Sequence, residues 1–185
     1  EAYLQPIIKD KTKDIINSIQ KSLEFDLIIT IGGASVGKYD LVYDAAVQAG
    51  VTFSFKEVNM RPGKPFKAGK TGNSLFFSLP GNPVSSLICS QIFIGPVLEK
   101  LKGNKYSLKF KDAFLLEDMK KNGKRKHFIR SKFVKKNNVL YVKPFKNQDS
   151  SNLPILNKAN SLIVRNEHAP AIKKGDKVKI LKLEI

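Results

Sequence analysis

The stretches GGASVGKYD (32–40), MRPGKPF (60–66) and LPGNPVSS (79–86) decide the reading of this chain. The first follows the apolar run DLIITI (26–31) and precedes Leu41, Val42, Ala45, Ala46 and Ala49, which recur at helical spacing. That is a strand, a glycine loop and a helix. All three loops share one chemistry, main-chain amides and cations shaped to hold oxyanions.

Working outward, residues 12–24 set Ile15, Ile16, Ile19 and Leu23 on one face of an amphipathic helix. Gly50 suits the end of the helix over 40–49, residues 52–58 alternate as a strand, and 75–79 form another short apolar run closed by Pro80-Gly81. Asn82 as N-cap and Pro83 at the first position open a helix to about Leu101, kinked at Gly95-Pro96. Helices alternating with apolar strands predict an α/β layer on a parallel sheet. Beyond Asn104 the pattern becomes short strands, at 106–115, 127–134, 139–144, 161–165 and 177–185, separated by Lys/Asn/Gly turns. This predicts two domains, 1–103 and 104–185, the second all-β. In the last strand Val178 and Ile180 share one parity while Leu181, Leu183 and Ile185 share the other, which predicts a bulge near Ile180-Leu181.

With 185 residues, 42% of them hydrophobic, the chain can bury a real core. Its longest apolar stretch, 87–98, is broken by Ser90 and Gln91, short of the roughly 18 uninterrupted apolar residues of a membrane span, and the N-terminus carries no signal-peptide pattern. The single cysteine, Cys89, excludes an internal disulfide and points to a reducing, cytoplasmic setting. The net charge of +17 is regional: residues 1–100 carry 11 Lys+Arg against 9 Asp+Glu, and residues 101–185 carry 22 against 7. Aromatic residues suited to stacking bases are sparse among these cations, which favours a solvated basic surface over a nucleic-acid groove.

Each loop taken alone has rival readings. GGASVGK places Gly32, Gly37 and Lys38 as in a phosphate-binding P-loop, but Tyr39 stands where a short Mg-ligating hydroxyl is required. The same stretch contains G-x-S-x-G at Gly33, Ser35 and Gly37, the pattern of a nucleophile elbow, with Asp149 and His168 downstream as triad partners. A plain packing turn is the third reading. In Arg61-Pro62-Gly63-Lys64, proline and glycine occupy the centre of a type II turn, which brings two cations toward one small volume. In the third loop Asn82-Pro83 opens a helix whose first amides lie near the hydroxyls of Ser85 and Ser86. His127 and His168, with one distant cysteine, do not make a zinc site and are expected at surface or edge-strand positions; Phe53, Phe55, Phe66, Phe76 and Phe77 are expected in the core.

Together, in this order and spacing, the motifs resemble the C-terminal portion of the MoeA/gephyrin E-domain family, the molybdopterin molybdenumtransferases, over essentially the whole sequence. The resemblance implies a three-layer α/β/α domain of the molybdopterin-binding type, incomplete at its N-terminus, followed by a small β-barrel domain. It also implies upstream domains and a preceding Gly-Asp-Glu loop, so that this portion alone is expected to be inactive. The implied reaction inserts molybdate into adenylylated molybdopterin and releases AMP with Mg²⁺. Asp40 matches the family's catalytic, cation-holding aspartate. Gly32, Gly33, Ser35, Gly37, Pro80, Gly81 and Asn82 match its substrate-binding loops, and Arg61, Lys64 and Ser85 match positions lining the molybdate site. Arg130 within KHFIR and Ser150 within NQDSS match further anion contacts. A homodimer and other molybdenum cofactor biosynthesis proteins are the implied partners. A non-catalytic scaffold of the gephyrin type and a basic nucleic-acid-binding module remain as alternatives.

Overall fold

A computed structural model describes residues 1–33, 40–150 and 152–183. The chain packs as two units, Glu1–Val58 with Pro65–Gly81, and Asn59–Lys64 with Asn82–Ile185.

In the first unit, helix α1 (Thr12–Lys21) and helix α2 (Leu41–Gln48) cover one face of a four-stranded sheet. Ile15 and Ile19 of α1 and Val42, Ala45 and Ala46 of α2 meet Ile28 and Phe76 of the sheet, so the apolar stripes read in the sequence are the core contacts. Leu23 lies beyond the end of α1 and is exposed. Helix α2 ends in a Schellman motif, with the Val51 amide donating to Ala46 O and that of Gly50 to Val47 O, Gly50 having φ +91°.

The sheet is mixed, not parallel as the helix–strand alternation predicts. Strands β1 (Leu27–Ile31), β2 (Thr52–Phe55), β4 (Lys67–Thr71) and β5 (Ser74–Leu79) lie in the order β1-β5-β4-β2, and only β1 and β5 are parallel. The reason is a hairpin. Thr71 pairs with Ser74 across Gly72-Asn73, a two-residue turn that forces β4 antiparallel to β5. The sequence Lys-Ala-Gly-Lys-Thr hides β4, because it lacks the branched apolar alternation of a strand.

In the second unit, strands β6 (Phe110–Leu115), β7 (Lys126–Lys136), β8 (Val139–Pro144), β9 (Ser161–Arg165) and β10 (Lys177–Lys182) close into a barrel in the order β7-β8-β6-β10-β9, with β9 returning to β7. Ala113, Leu115, Ile129, Val142, Ile163, Val178 and Ile180 fill it. The β7–β8 hairpin turns on Asn137-Asn138, both at positive φ, as a tight primed turn requires. A short strand β3 (Met60–Arg61) joins β7 in parallel, with Met60 opposite Lys126 and Arg61 opposite His127. The bulge expected near Ile180-Leu181 is absent, for β10 keeps continuous register with both β6 and β9. Leu181 and Leu183 are buried all the same, on the face opposite Val178 and Ile180. Both parities of this strand are therefore buried and apolar without any break in register.

The helical run after Asn82 divides into α3 (Pro83–Cys89), a π-turn (Ser90–Ile94) and α4 (Gly95–Leu101). The widened turn precedes Pro96, whose ring and missing N–H disfavour a regular ladder there, as the Gly95-Pro96 pair predicts. Length and composition alone would let Pro83–Leu101 cross a membrane, contrary to the sequence reading; here Val84, Ile88 and Cys89 are wholly buried in the protein. A helix not anticipated from the sequence, α5 (Leu153–Lys158), starts at Asn152, whose side chain accepts the Ile155 amide.

One ion pair ties α2 to the sheet. Asp40 caps α2 through Oδ1, 2.9 Å from the Tyr43 amide, while its Oδ2 lies 2.6 Å from Lys67 Nζ on β4. The side chains are only 11% and 9% exposed. Asp40→Asn should keep the cap, since asparagine caps as well as aspartate, but leave the Lys67 ammonium buried without its anion. A loss of about 3 kcal/mol in urea unfolding is expected, most of it restored by adding Lys67→Met. A loss below about 0.5 kcal/mol, within the range of ordinary surface substitutions, would remove the pair from the account of stability. Burial likewise pushes the Cys89 thiol up to about 12. The folded chain should therefore resist thiol reagents at pH 8 and react promptly once unfolded, and fast reaction in native buffer would contradict this packing.

Candidate functional site

The first unit presents the ends of two parallel strands. Ile31 and Leu79 are the last pair of β1 and β5, and the Gly32 amide extends the ladder to Leu79 O at 3.3 Å. Both loops thus leave from adjacent strand carboxyl ends, the usual place for ligand sites in α/β sheets. Gly33, at φ +67°, lies so near α2 that a Cβ would stand 2.3 Å from Val42 Cγ2; no other residue type fits there. A Cβ on Gly81 would come 3.2 Å from Gly32 Cα, so the glycine loop and the Pro80-Gly81 loop run against each other. Ser35 and Gly37 lie outside the described residues. Asp40 ends this loop with both carboxylate oxygens engaged by the Tyr43 amide and Lys67.

That arrangement bears on a divalent cation. A hard cation such as Mg²⁺ takes several oxygen ligands in octahedral array. Among the described residues no group of three or more His, Cys, Asp or Glu side chains gathers, and the Asp40 carboxylate already faces an ammonium. The described residues do not by themselves complete a magnesium site; in this structure Asp40 is a capping, ion-paired carboxylate, and its role toward a cation belongs to the proposal below.

In the second unit the Arg61–Lys64 loop is held at both ends. Asn59 O accepts the Lys126 amide, and the Asn59 side chain reaches Lys124 O and Glu167 Oε1 at 3.2 and 2.7 Å. Gly63, at φ +111°, is pressed onto α3: a Cβ there would stand 2.6 Å from Cys89 Sγ. Ser85 is one helical turn before Cys89 and so lies on the same side of α3. This seat sets the backbone of the Arg61–Lys64 loop against the helix that carries Ser85. The turn itself differs from the predicted one. The Arg61-Pro62 peptide is cis and the hydrogen-bonded turn falls at Lys64-Pro65 rather than at Pro62-Gly63. Asn82 caps α3 by accepting the Ser85 amide at 3.1 Å and its hydroxyl at 3.4 Å.

Arg130 braces a loop through its guanidinium. It is 1% exposed, with Nη1 donating to Asn152 O at 3.0 Å and Nη2 to Asp149 O at 2.8 Å. Burial lowers its pKa while the Asp149 charge opposes that shift. Those two carbonyls flank Ser150, so Arg130 fixes the loop that carries this hydroxyl. Gln148 completes the brace, accepting the Arg130 amide and donating to Arg130 O.

His127 corrects another expectation. It sits on central strand β7, 9% exposed, and not at a surface or edge position; His168 is the exposed one, in a turn at φ +53°. Burial, then the charges of Arg61, Arg125, Arg165 and Arg130, lower the pKa of His127 to about 4. Lys67 and Arg165 also escaped the sequence reading. Neither belongs to a motif, and only the register of β4 and β9 reveals their partners.

Residues 1–100 match the family described as probable molybdopterin binding domain, and residues 112–183 match the MoeA C-terminal region (domain IV). A molybdopterin molybdenumtransferase of Haemophilus influenzae is 42% identical over 80 residues, 43% of this chain and 20% of its own length. Gephyrin of Dictyostelium discoideum is 30% identical over 95% of this chain and 28% of its own length. A molybdopterin molybdenumtransferase of Nostoc is 29% identical over 100% of this chain and 44% of its own length. The chain thus spans less than half the length of these relatives. Among solved structures, a molybdenum cofactor biosynthesis protein of Pyrococcus furiosus superposes with TM-score 0.77 at 22% identity, over 98% of this chain and 58% of that one. A MoeA protein of Pyrococcus horikoshii gives 0.76 at 21%, over 98% and 42%. Both likenesses concern the fold, an α/β sheet domain followed by a closed five-stranded barrel. With the first family matched over more than half of its residues and the second over the barrel, the chain belongs to the MoeA/gephyrin family.

Proposed function

We propose that this chain supplies the oxyanion-holding half of a molybdopterin molybdenumtransferase, an enzyme of molybdenum cofactor biosynthesis that joins molybdate to adenylylated molybdopterin and releases AMP. The observation that supports this reading is the seat of Gly63, at the centre of the Arg61–Lys64 loop, against Cys89 of α3, one helical turn from Ser85. A compact dianion needs charge-assisted hydrogen bonds from several directions, and an apolar pocket would not hold it. Arg61 and Lys64 supply charge, Ser85 a hydroxyl, and the loop braced by Arg130 a second hydroxyl at Ser150. Gly32, Gly33, Pro80 and Gly81 form a side-chain-free surface at the strand ends that suits close approach of a substrate to main-chain amides. A homodimer, a cytoplasmic setting and dependence of turnover on Mg²⁺ belong to the same proposal, the cation drawing ligands from substrate or from residues other than Asp40 alone.

Tungstate, an isosteric oxyanion, tests the reading by calorimetry. Lys64→Ala should weaken its binding by about tenfold or more, the loss of one charge-assisted hydrogen bond of about 1.5–3 kcal/mol. Unchanged affinity in Lys64→Ala would sink the clamp.

A further inference from the structure

Register places three basic side chains in one row. Arg61 on β3 is opposite His127 on β7, and His127 is opposite Arg165 on β9. Directly paired residues project from the same face of a sheet, some 4.5–5.5 Å apart. His127 has the parity of Ile129, which packs in the barrel core against Ile163, so the row crosses the mouth of the barrel above that core. Arg130 has the other parity and serves the loop on the opposite face of β7.

The row borders an open recess of about 740 Å³, a size that holds a small organic ligand. Lys120, Lys121 and Lys146 add charge to its rim. The two carboxylates on the rim are engaged elsewhere: Glu117 pairs with Lys143 at 2.6 Å, and Asp118 holds Lys173 Nζ and the Lys174 amide at 3.0 and 2.8 Å. Met119, Ile129 and Phe145 supply apolar wall.

Arg165 is the decisive residue. It is 3% exposed, and its Nη2 donates to Ala169 O and Pro170 O. Its Nε and Nη1 are buried and have no hydrogen-bond partner among the described residues. Buried guanidinium donors left unpaired are costly, and the neutral imidazole of His127 between Arg61 and Arg165 does nothing to offset their charge. A bound anion relieves both at once.

We propose that the barrel mouth is a phosphomonoester site, with the phosphate dianion held by Arg165 and Arg61 beside His127 and the organic body lying on Met119, Ile129 and Phe145. The volume and the apolar wall favour such a ligand over a bare oxyanion. This site shares Arg61 with the molybdate clamp, while Arg165 and His127 belong to the barrel mouth alone. His127 reports occupancy. In the free chain it is neutral above about pH 4, because burial and the surrounding arginines oppose its charge. A dianion among those arginines offsets their field, so its pKa must rise toward the ordinary 6.5.

The test is an NMR titration of both histidines in the full 185-residue chain, with phenyl phosphate and with inorganic phosphate. Saturable binding of phenyl phosphate, a rise of at least one unit in the His127 pKa, and no shift at exposed His168 are expected. Phenyl phosphate should bind at least tenfold more tightly than inorganic phosphate. Arg165→Gln should weaken phenyl phosphate at least tenfold; as this residue also braces Ala169 and Pro170, the exposed pair Lys120→Ser with Lys121→Ser provides a folded second variant, expected to weaken it severalfold. An unmoved His127 at saturation, or indifference to both the Arg165 and the paired lysine variants, overturns the site. Equal affinity for the two ligands overturns the organic subsite.

Discussion

The parallel pairing of Met60–Arg61 with Lys126–His127 is the constraint on which the second unit's chemistry depends. A two-residue strand contributes little stability by itself. It becomes rigid because Asn59 bonds to Lys124 and Glu167 on one side, while Gly63 beds against Cys89 on the other. Fixed at both ends, the loop carries Gly63 against α3 and Arg61 beside β7.

The same strand β7 then sorts two sets of basic groups by parity. Residues 127, 129 and 131 face inward and residues 128, 130 and 132 face outward. Arg130 therefore reaches the loop around Ser150, whereas His127 faces the barrel mouth with Arg61 and Arg165. A one-residue slip of β7 would exchange these roles and put Ile129 into the position of a buried arginine, so core packing and anion chemistry enforce one register. The first unit uses a different device: the Asp40–Lys67 pair joins the start of α2 to β4, directly after the glycine loop.

Much of the fold was legible because it is local. Strand-loop-helix at 26–49, the Asn82-Pro83 cap, the break at Gly95-Pro96 and the barrel strands at 139–144 and 161–165 each follow from periodicity or from cap and turn chemistry within a few residues. The parallel-sheet expectation failed at Lys67–Thr71, where a polar, glycine-containing strand carries no apolar period and only the Gly-Asn turn hints at a hairpin. The expected bulge at Ile180-Leu181 failed because a strand covered on both faces shows the same two-sided apolar pattern as a bulged one.

By itself the sequence determined where the three glycine- and proline-rich loops fall, since glycine, proline and paired cations at fixed spacing constrain backbone and charge within each loop. It also showed that a helix-bearing sheet region precedes a strand-rich one, though not the helix α5 within the latter. Tertiary structure alone decided which charges meet. Lys67 neutralises Asp40 across 27 residues, Arg130 serves carbonyls 19 and 22 residues away, and Arg61, His127 and Arg165 align across three strands. The physical reason is that hydrophobic period and turn chemistry act over one or two turns of chain. Electrostatic partners are chosen by strand register, which is set by the packing of the whole barrel.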